Sequence, residues 1–362
     1  MSHPLCPQDI LDLSADSFVF YNVLPGDVQD LSADWPSVDL VRVGDLALKQ
    51  QPDEATLDKL ALGLMALRGE PLPESVDWAA LAETCARLYA RQLQPDGQRP
   101  LRMRLARATF MLHDVLDRNR PDDTEILAQQ TFPQGFVWDW LPLEHGTLIA
   151  DSRQENIHHD VGGIVRSSQR LGLPTQIDAL PDGCAGIGSC YSGGWYSWKP
   201  GEEGRHHPRE TSVVMVFPHD GQLAELSSDG TVRSETGTVL TRLPIRKVWC
   251  ARHIDGRVFA SDWSEPGVLC VLDLGNMLCE RISCAPVIQV NDICRLGESY
   301  YLVDKMHGRI FAFDSGFRFR EARMKFGKGF GRLYDPIAIR AHQGLLHVLS
   351  WVTGSLVTIR PF

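Results

Sequence analysis

The chain has 362 residues, 43% hydrophobic and 23% charged, with 36 basic against 46 acidic side chains and a formal charge of −10. That composition is that of a soluble globular protein of about two domains. With no block of clustered Lys and Arg it argues against nucleic acid as a partner. The start, MSHPLCPQDILDLSADSF, has neither a basic opening nor an apolar run, and no stretch approaches the length of a membrane span, so the expected location is cytoplasmic, with no membrane partner. The nine cysteines are irregularly spaced with no CxxC pair, which gives no zinc ribbon or thioredoxin motif; Cys270 and Cys294 sit in apolar strand patterns and read as core residues.

In chain order, SFVFYNVL at 17–24 and VDLVRVGDLAL at 38–48 have the β-branched and aromatic content of strands. Residues 53–118 then turn helical. Asp53 precedes a helix whose Leu57, Leu60, Ala61, Leu64 and Leu67 share one face. Ser75 is the expected cap of a second helix with Trp78, Leu81, Cys85, Leu88 and Tyr89 as its stripe. A third runs through LRMRLARATFMLHDVLDRN, with Met103, Ala106, Phe110 and Val115 inward. Its Arg102, Arg104 and Arg107 read as a solvated face, or as a docking surface for an acidic partner. Residues 1–130 are thus expected to be a mostly helical region with one or two strands, and residues 131–362 a second domain.

From 134 onward the chain repeats. Each unit gives an apolar strand, a Gly- or Asp-containing turn, a strand ending near Asp (Asp151, Asp262, Asp304) and a further apolar strand. Those aspartates read as structural ties for the loops. Lys247, Asn291 and Asp335 stand at matching points, 44 residues apart each time. A period in the low forties with three or four strands per unit is that of a β-propeller blade, because a small twisted sheet cannot bury both faces alone and packs radially on its neighbours. The expected fold is mainly β, a six-bladed propeller with five blades as the alternative, carrying an N-terminal α-helical segment. WKPGEEGRHHPRETS at 198–212 reads as a loop insertion, and the terminal GSLVTIRPF could close the ring by pairing with strand material from elsewhere, the 17–48 strands included.

Four segments resemble the gluconolactonase and regucalcin-like calcium propellers. They are QGFVWD at 134–139, IDGRVFASDW at 254–263, VNDICRLGESYYLVDKMHGRIFAFD at 290–314 and YDPIAI at 334–339. The resemblance spans about 230 residues in order and spacing. It implies one divalent cation, calcium or similar, at the end of the central channel, polarising a lactone carbonyl and activating water. Carried over by position, the metal ligands are Gln134, Asn291 and Asp335, with Asn291 and Asp335 the catalytic residues. The family's glutamate is here Gln134, so the cation is expected to bind weakly, and Gln134→Glu to restore it. The family's R-x-N-D segment falls on Arg246, Lys247, Val248 and Trp249; the arginine remains and the Asn-Asp pair is gone. Arg246, Lys247 and Trp249 become the substrate-binding residues, in a pocket more cationic than the family's.

A weaker metal alternative is His158 and His159 with His206 and His207, which match no known zinc spacing. Cys184 and Cys190 have no base to activate them, and GKGFGR at 327–332 lacks the GK[ST] of a phosphate loop. Two functions remain. One is a divergent lactonase-like hydrolase acting on a small, anionic metabolite in the channel. The other is a non-catalytic propeller serving as a binding or assembly subunit, its residues 53–118 docking a partner protein.

Overall fold

The computed structural model describes residues 38–67, 71–93, 97–117, 122–133, 136–189, 191, 193–262, 264–305, 308–326 and 330–362. The chain divides into two compact units. One runs to Pro121 and includes Ile282–Ile288; the other holds Asp122–Arg281 and Gln289–Phe362. Among the described residues no helix is long and apolar enough to cross a membrane. The expected strand at 17–24 lies outside the described residues.

The helical unit contains α1 (Leu40–Lys49), α2 (Glu54–Ala66), α3 (Trp78–Arg91) and α4 (Arg99–Asp117). Residues 38–48, expected as strand, are mostly α1. Their valines suggested a strand, but the buried positions are Leu40, Gly44 and Ala47, which is helical spacing, and Asp39 caps the first turn by accepting from the Arg42 amide at 3.1 Å. Gly44 is where α1 meets α3: a Cβ there would stand 2.7 Å from the Trp78 ring. The stripe of α2 is fully buried at Leu57, Leu60, Ala61 and Leu64, and Asp53 accepts from the Thr56 amide at 2.8 Å. Asp77, rather than Ser75, caps α3, accepting from the Ala80 amide at 2.9 Å.

The arginines of α4 are not a solvated face. Arg102 and Arg107 are buried. Arg104 Nε donates to both oxygens of Asp58 at 3.0 Å, Arg104 Nη1 lies 2.9 Å from Glu54 Oε2, and Arg107 also pairs with Asp58. The facing helix α2 presents two carboxylates, so the cations turn inward and clamp α4 to α2.

The second unit is a β-propeller. Four of its sheets have four strands each. They are β2 (Val137–Leu143), β3 (Gly146–Asp151), β4 (Asn156–Val161) and β5 (Ile164–Arg170); β13 (Val248–Ile254), β14 (Arg257–Asp262), β15 (Val268–Asp273) and β16 (Leu278–Ser283); β17 (Val290–Leu296), β18 (Ser299–Asp304), β19 (Arg309–Phe313) and β20 (Phe319–Arg323); and, after the short pair β21 (Lys325–Phe326) and β22 (Arg332–Leu333), β23 (Pro336–His342), β24 (Leu345–Ser350) and β25 (Ser355–Ile359) joined by β1 (Ile126–Thr131). That last sheet closes the ring. β1 pairs antiparallel with β25 from Ile126↔Ile359 to Thr131↔Ser355, so the fourth strand of this sheet comes from residues just before the repeats.

A seven-stranded sheet holds β6 (Gln176–Ala179), β7 (Ala185–Gly188) and β8 (Gly193–Trp198), then the long β9 (Arg205–His219), then β10 (Gln222–Ser227), β11 (Thr231–Ser234) and β12 (Val239–Arg242). Arg205–Ser212, expected as an inserted loop, is strand. Its first half pairs with β8 and its second, from Val213, with β10. The polar sequence misled because this half is largely exposed while Val213–Phe217 is buried. The innermost strands β2, β6, β9, β13, β17 and β23 neighbour one another in turn, and β23 returns to β2.

Between sheets the faces interlock as apolar clusters. Leu148 and Ile157 meet Ile177, Ile187 and Trp198; Tyr301 and Ile310 meet Ile339 and Val348. Each such side chain contributes about 1.5–3 kcal/mol by burial. The recurrent aspartates tie loops as expected. Asp151 Oδ1 accepts from the Arg153 and Gln154 amides, and Asp262 accepts from Ser264 and, across the hairpin, from the Arg246 amide at 2.9 Å.

Candidate functional site

The inner strands start at one mouth of the propeller, and their registers correct the sequence spacing. Val137, Val248, Val290 and Pro336 hold the same place in their sheets, facing Asp151, Asp262, Asp304 and Ser350, and each is followed by a bulge. From Val248 to Val290 is 42 residues and from Val290 to Pro336 is 46, so an even 44 was an average over unequal loops. The residues at the position equivalent to Asn291 in the other sheets are Trp138, Trp249 and Ile337. Lys247 and Asp335 stand just before their strands.

Asn291 is buried. Its Oδ1 accepts from the Lys305 amide at 2.9 Å, and its Nδ2 has no partner. Lys305 extends over the Trp351 ring, Nζ 4.4 Å from the centroid, and the Trp351 amide donates to the Asp335 carbonyl at 2.9 Å. Burial pulls the Lys305 ammonium below its usual range, against the opposing charge of Asp335. Asn291 and Asp335 therefore share one neighbourhood, with Lys305 between them. Trp138 is its hub, 5.3 Å from Trp351, 6.0 Å from Trp249 and 6.3 Å from Tyr191 between ring centroids. Arg246 and Lys247 are exposed at its edge, and Gln134 lies outside the described residues.

These residues make a poor seat for a divalent cation. Such an ion takes six to eight oxygen ligands. The Asn291 oxygen already accepts a backbone N–H, and the Lys305 ammonium over Trp351 adds a positive charge to the neighbourhood. The histidine alternative is spread out. His158 faces Asp151 in the core at 3.4 Å, His159 donates to the His145 carbonyl, His206 stacks on Tyr196 and His207 on Trp195. Among the described residues no group of three or more His, Cys, Asp or Glu is placed to hold a metal.

Below this mouth the axis is crossed by an ion network that the sequence reading did not single out. Arg252 of β13 donates through Nε and Nη2 to Asp292 of β17 at 2.7 and 2.8 Å, and through Nη1 and Nη2 to Asp139 of β2 at 3.1 and 3.0 Å. Arg340 of β23 donates through Nη2 to Asp139 at 2.9 Å and to the Ile177 carbonyl at 2.6 Å. Each aspartate also accepts two amides. Asp139 takes those of Trp140 and Ile177, and Asp292 those of Ile293 and Ile339, so each stitches its own strand to the next sheet. Asp139 and Asp292 stand two residues after Val137 and Val290, and Arg252 and Arg340 four after Val248 and Pro336. The repeated V-x-D of VWD and VND was the available signal. Burial opposes the charge of Asp139, but Arg252 and Arg340 outweigh it and hold the carboxyl below its usual range. At Asp292 burial prevails and the shift is upward; at Arg252 the two carboxylates prevail over burial and the shift is also upward.

At the other end of the inner strands a cavity of about 420 Å³ opens, with residues from all six around it, among them Leu141, Asp178, Phe217, Arg252, Cys294 and Arg340. Burial pushes the Asp178 carboxyl up to about 6, despite Arg252 and Arg340 nearby.

No protein-family model matches the chain, and no curated protein does. Solved structures do. A catalytically inactive virginiamycin B lyase from Staphylococcus aureus with quinupristin is similar at 10% identity and a TM-score of 0.51, over 62% of this chain and 80% of that one. The Cps50 (Swd1) β-propeller domain of Myceliophteria thermophila (9% identity, TM-score 0.46, 60% and 79% covered) and BamB from Moraxella catarrhalis (11%, 0.42, 66% and 100%) lie further off. At such identities a likeness carries the fold alone, and that fold is the β-propeller.

Proposed function

We propose that the chain is a non-catalytic propeller that works by binding, with the mouth around Trp138 as its recognition surface for a protein partner. Reading β6–β8 with the first half of β9 as one blade, and the second half of β9 with β10–β12 as another, gives six blades. The observation that carries the reading is the commitment of the axial carboxylates. Every oxygen of Asp139 and Asp292 accepts at least two hydrogen bonds, from backbone amides and guanidinium groups. A hydrolase working at the Trp138 mouth needs a base or nucleophile left free to meet its substrate, and neither axial carboxylate is. Trp138, Trp249, Trp351 and Tyr191 are instead the residue types that dominate binding energy at interfaces. The helical unit is the second docking element of this reading, without Arg104 and Arg107, which serve its interior.

One observation favours the hydrolase reading: the Asn291 Nδ2 is buried without a partner in the neighbourhood of Asp335 and could donate to a substrate carbonyl. In that reading Asn291 and Asp335 act on a small anionic lactone or ester, and Arg246, Lys247 and Trp249 orient it.

The binding reading is tested with a photo-reactive phenylalanine analogue at Tyr191, which is 54% exposed, and at Ile164, equally exposed on the outer strand β5. A discrete protein adduct from position 191 and none from 164 is the expected result. Equal labelling at both, or none at 191, removes the mouth as the recognition surface.

A further inference from the structure

The cavity at the far end of the inner strands contains two charged groups whose bonding is incomplete. Arg252 spends Nε, Nη1 and Nη2 on Asp139 and Asp292. Arg340, its side chain 16% exposed, spends only Nη2, on Asp139 and the Ile177 carbonyl, and its Nη1 makes no hydrogen bond. Asp178 is the third carboxylate beside two guanidinium groups. Gln176 donates to its Oδ2 at 2.9 Å, while its Oδ1 has only a long 3.7 Å approach from Arg252 Nη1. The two groups are neighbours, because the carbonyl that Arg340 holds belongs to the residue before Asp178. At the rim, Arg295 and Asp255 pair with each other at 2.6 Å and bring no net charge.

We propose that this cavity binds a small zwitterion, a free α-amino acid or a short peptide, with the ligand carboxylate on Arg340 and the ligand ammonium on Asp178. An anion alone satisfies the guanidinium and leaves Asp178 without its counter-charge. A cation alone does the reverse. Only a ligand with both charges, a few ångströms apart, completes both groups, and charge-assisted bonds of this kind are the strong ones. The volume is within the range of small-molecule pockets, and the partly exposed Pro142, Pro218, Ile254 and Ala341 offer apolar wall for a side chain. The site is at the opposite end of the inner strands from Trp138 and does not depend on what that mouth binds.

The test is thermal unfolding of the full chain with each common L-amino acid and with L-leucylglycine at millimolar concentration, followed by calorimetry on those that raise the Tm. At least one is expected to bind, and its N-acetyl and methyl-ester derivatives to bind at least about tenfold more weakly, each having lost one charge. Asp178→Asn keeps the shape and the Gln176 bond, and is expected to erase the preference for the free amine over the N-acetyl form. The proposal is overturned if no zwitterion shifts the Tm, if the N-acetyl form binds as tightly as the free one, or if Asp178→Asn leaves the preference intact. The photo-labelling at Tyr191 reads the other mouth separately.

Discussion

Arg252 reaches across the propeller axis to Asp139, Nη1 on Oδ2 at 3.1 Å and Nη2 on Oδ1 at 3.0 Å, although 113 residues separate the two. With Asp292 on its other edge, the guanidinium joins β2, β13 and β17, and the amides of Ile177 and Ile339 bring in β6 and β23. The network holds the inner ring together where an open, water-filled channel would otherwise run.

Replacing Arg252 by Met leaves Asp139 and Asp292 buried without their shared cation. Breaking a buried pair from one side costs about 3–5 kcal/mol. Urea denaturation of Arg252→Met should show that loss in the propeller transition. A loss below about 1 kcal/mol would mean that the pair is effectively solvated.

Asp178 gives the stability a pH signature. Its folded carboxyl titrates near 6, above the unfolded value, so the folded state holds its proton longer. Its contribution is fully present below the unfolded pKa and is lost as the pH rises through 4 to 6. The groups facing it are Gln176, Arg252, Arg340 and Asp139. Asp178→Asn removes the titration, so between about pH 3 and pH 7 the variant should gain about 3 kcal/mol on wild type. Urea unfolding at several pH values reads this directly; a constant difference across that range would contradict the assignment.

Lys305 bears on calcium. Its ammonium lies over Trp351 and feels the charge of Asp335, one of the ligands the resemblance implies. Wild type should give no calcium heat in calorimetry. Gln134→Glu alone should gain little, and Gln134→Glu with Lys305→Met should gain more than either change alone. Tight binding by wild type, or full recovery from Gln134→Glu by itself, would show that Lys305 does not oppose the ion.

In the helical unit, Asp77→Ala should cost about 1 kcal/mol by removing the cap on the Ala80 amide, while Ser75→Ala stays within about 0.5 kcal/mol. Equal costs in chemical denaturation would move the helix start back toward Ser75.

The propeller was legible because its repeat is a burial pattern: strands such as VLCVLD and SYYLVD must be apolar to pack between sheets, whatever their register. The helices of 53–117 were legible for the same reason, through Leu57, Leu60 and Leu64. Two kinds of residue escaped. Polar stretches that are edge strand, as at Arg205–Ser212, look like loops because only pairing with β8 makes them strand. Charges inside apolar strands, as at Arg252 and Asp292, carry no local sign of their partners. Those partners are set by bulges and loop lengths, which moved Asn291 into register with Trp249 instead of Lys247. The arginines of α4 failed likewise, since only the facing helix reveals Asp58.

The most direct measurement is hydrolysis of a panel of γ- and δ-lactones and nitrophenyl esters by the purified full chain, beside Asn291→Ala and Asp335→Ala. A propeller whose axial carboxylates are committed to its own backbone and arginines should give no rate above buffer, and neither variant should change that. A wild-type rate that disappears in Asn291→Ala or Asp335→Ala, with folding intact, would contradict the binding reading and install the hydrolase in its place.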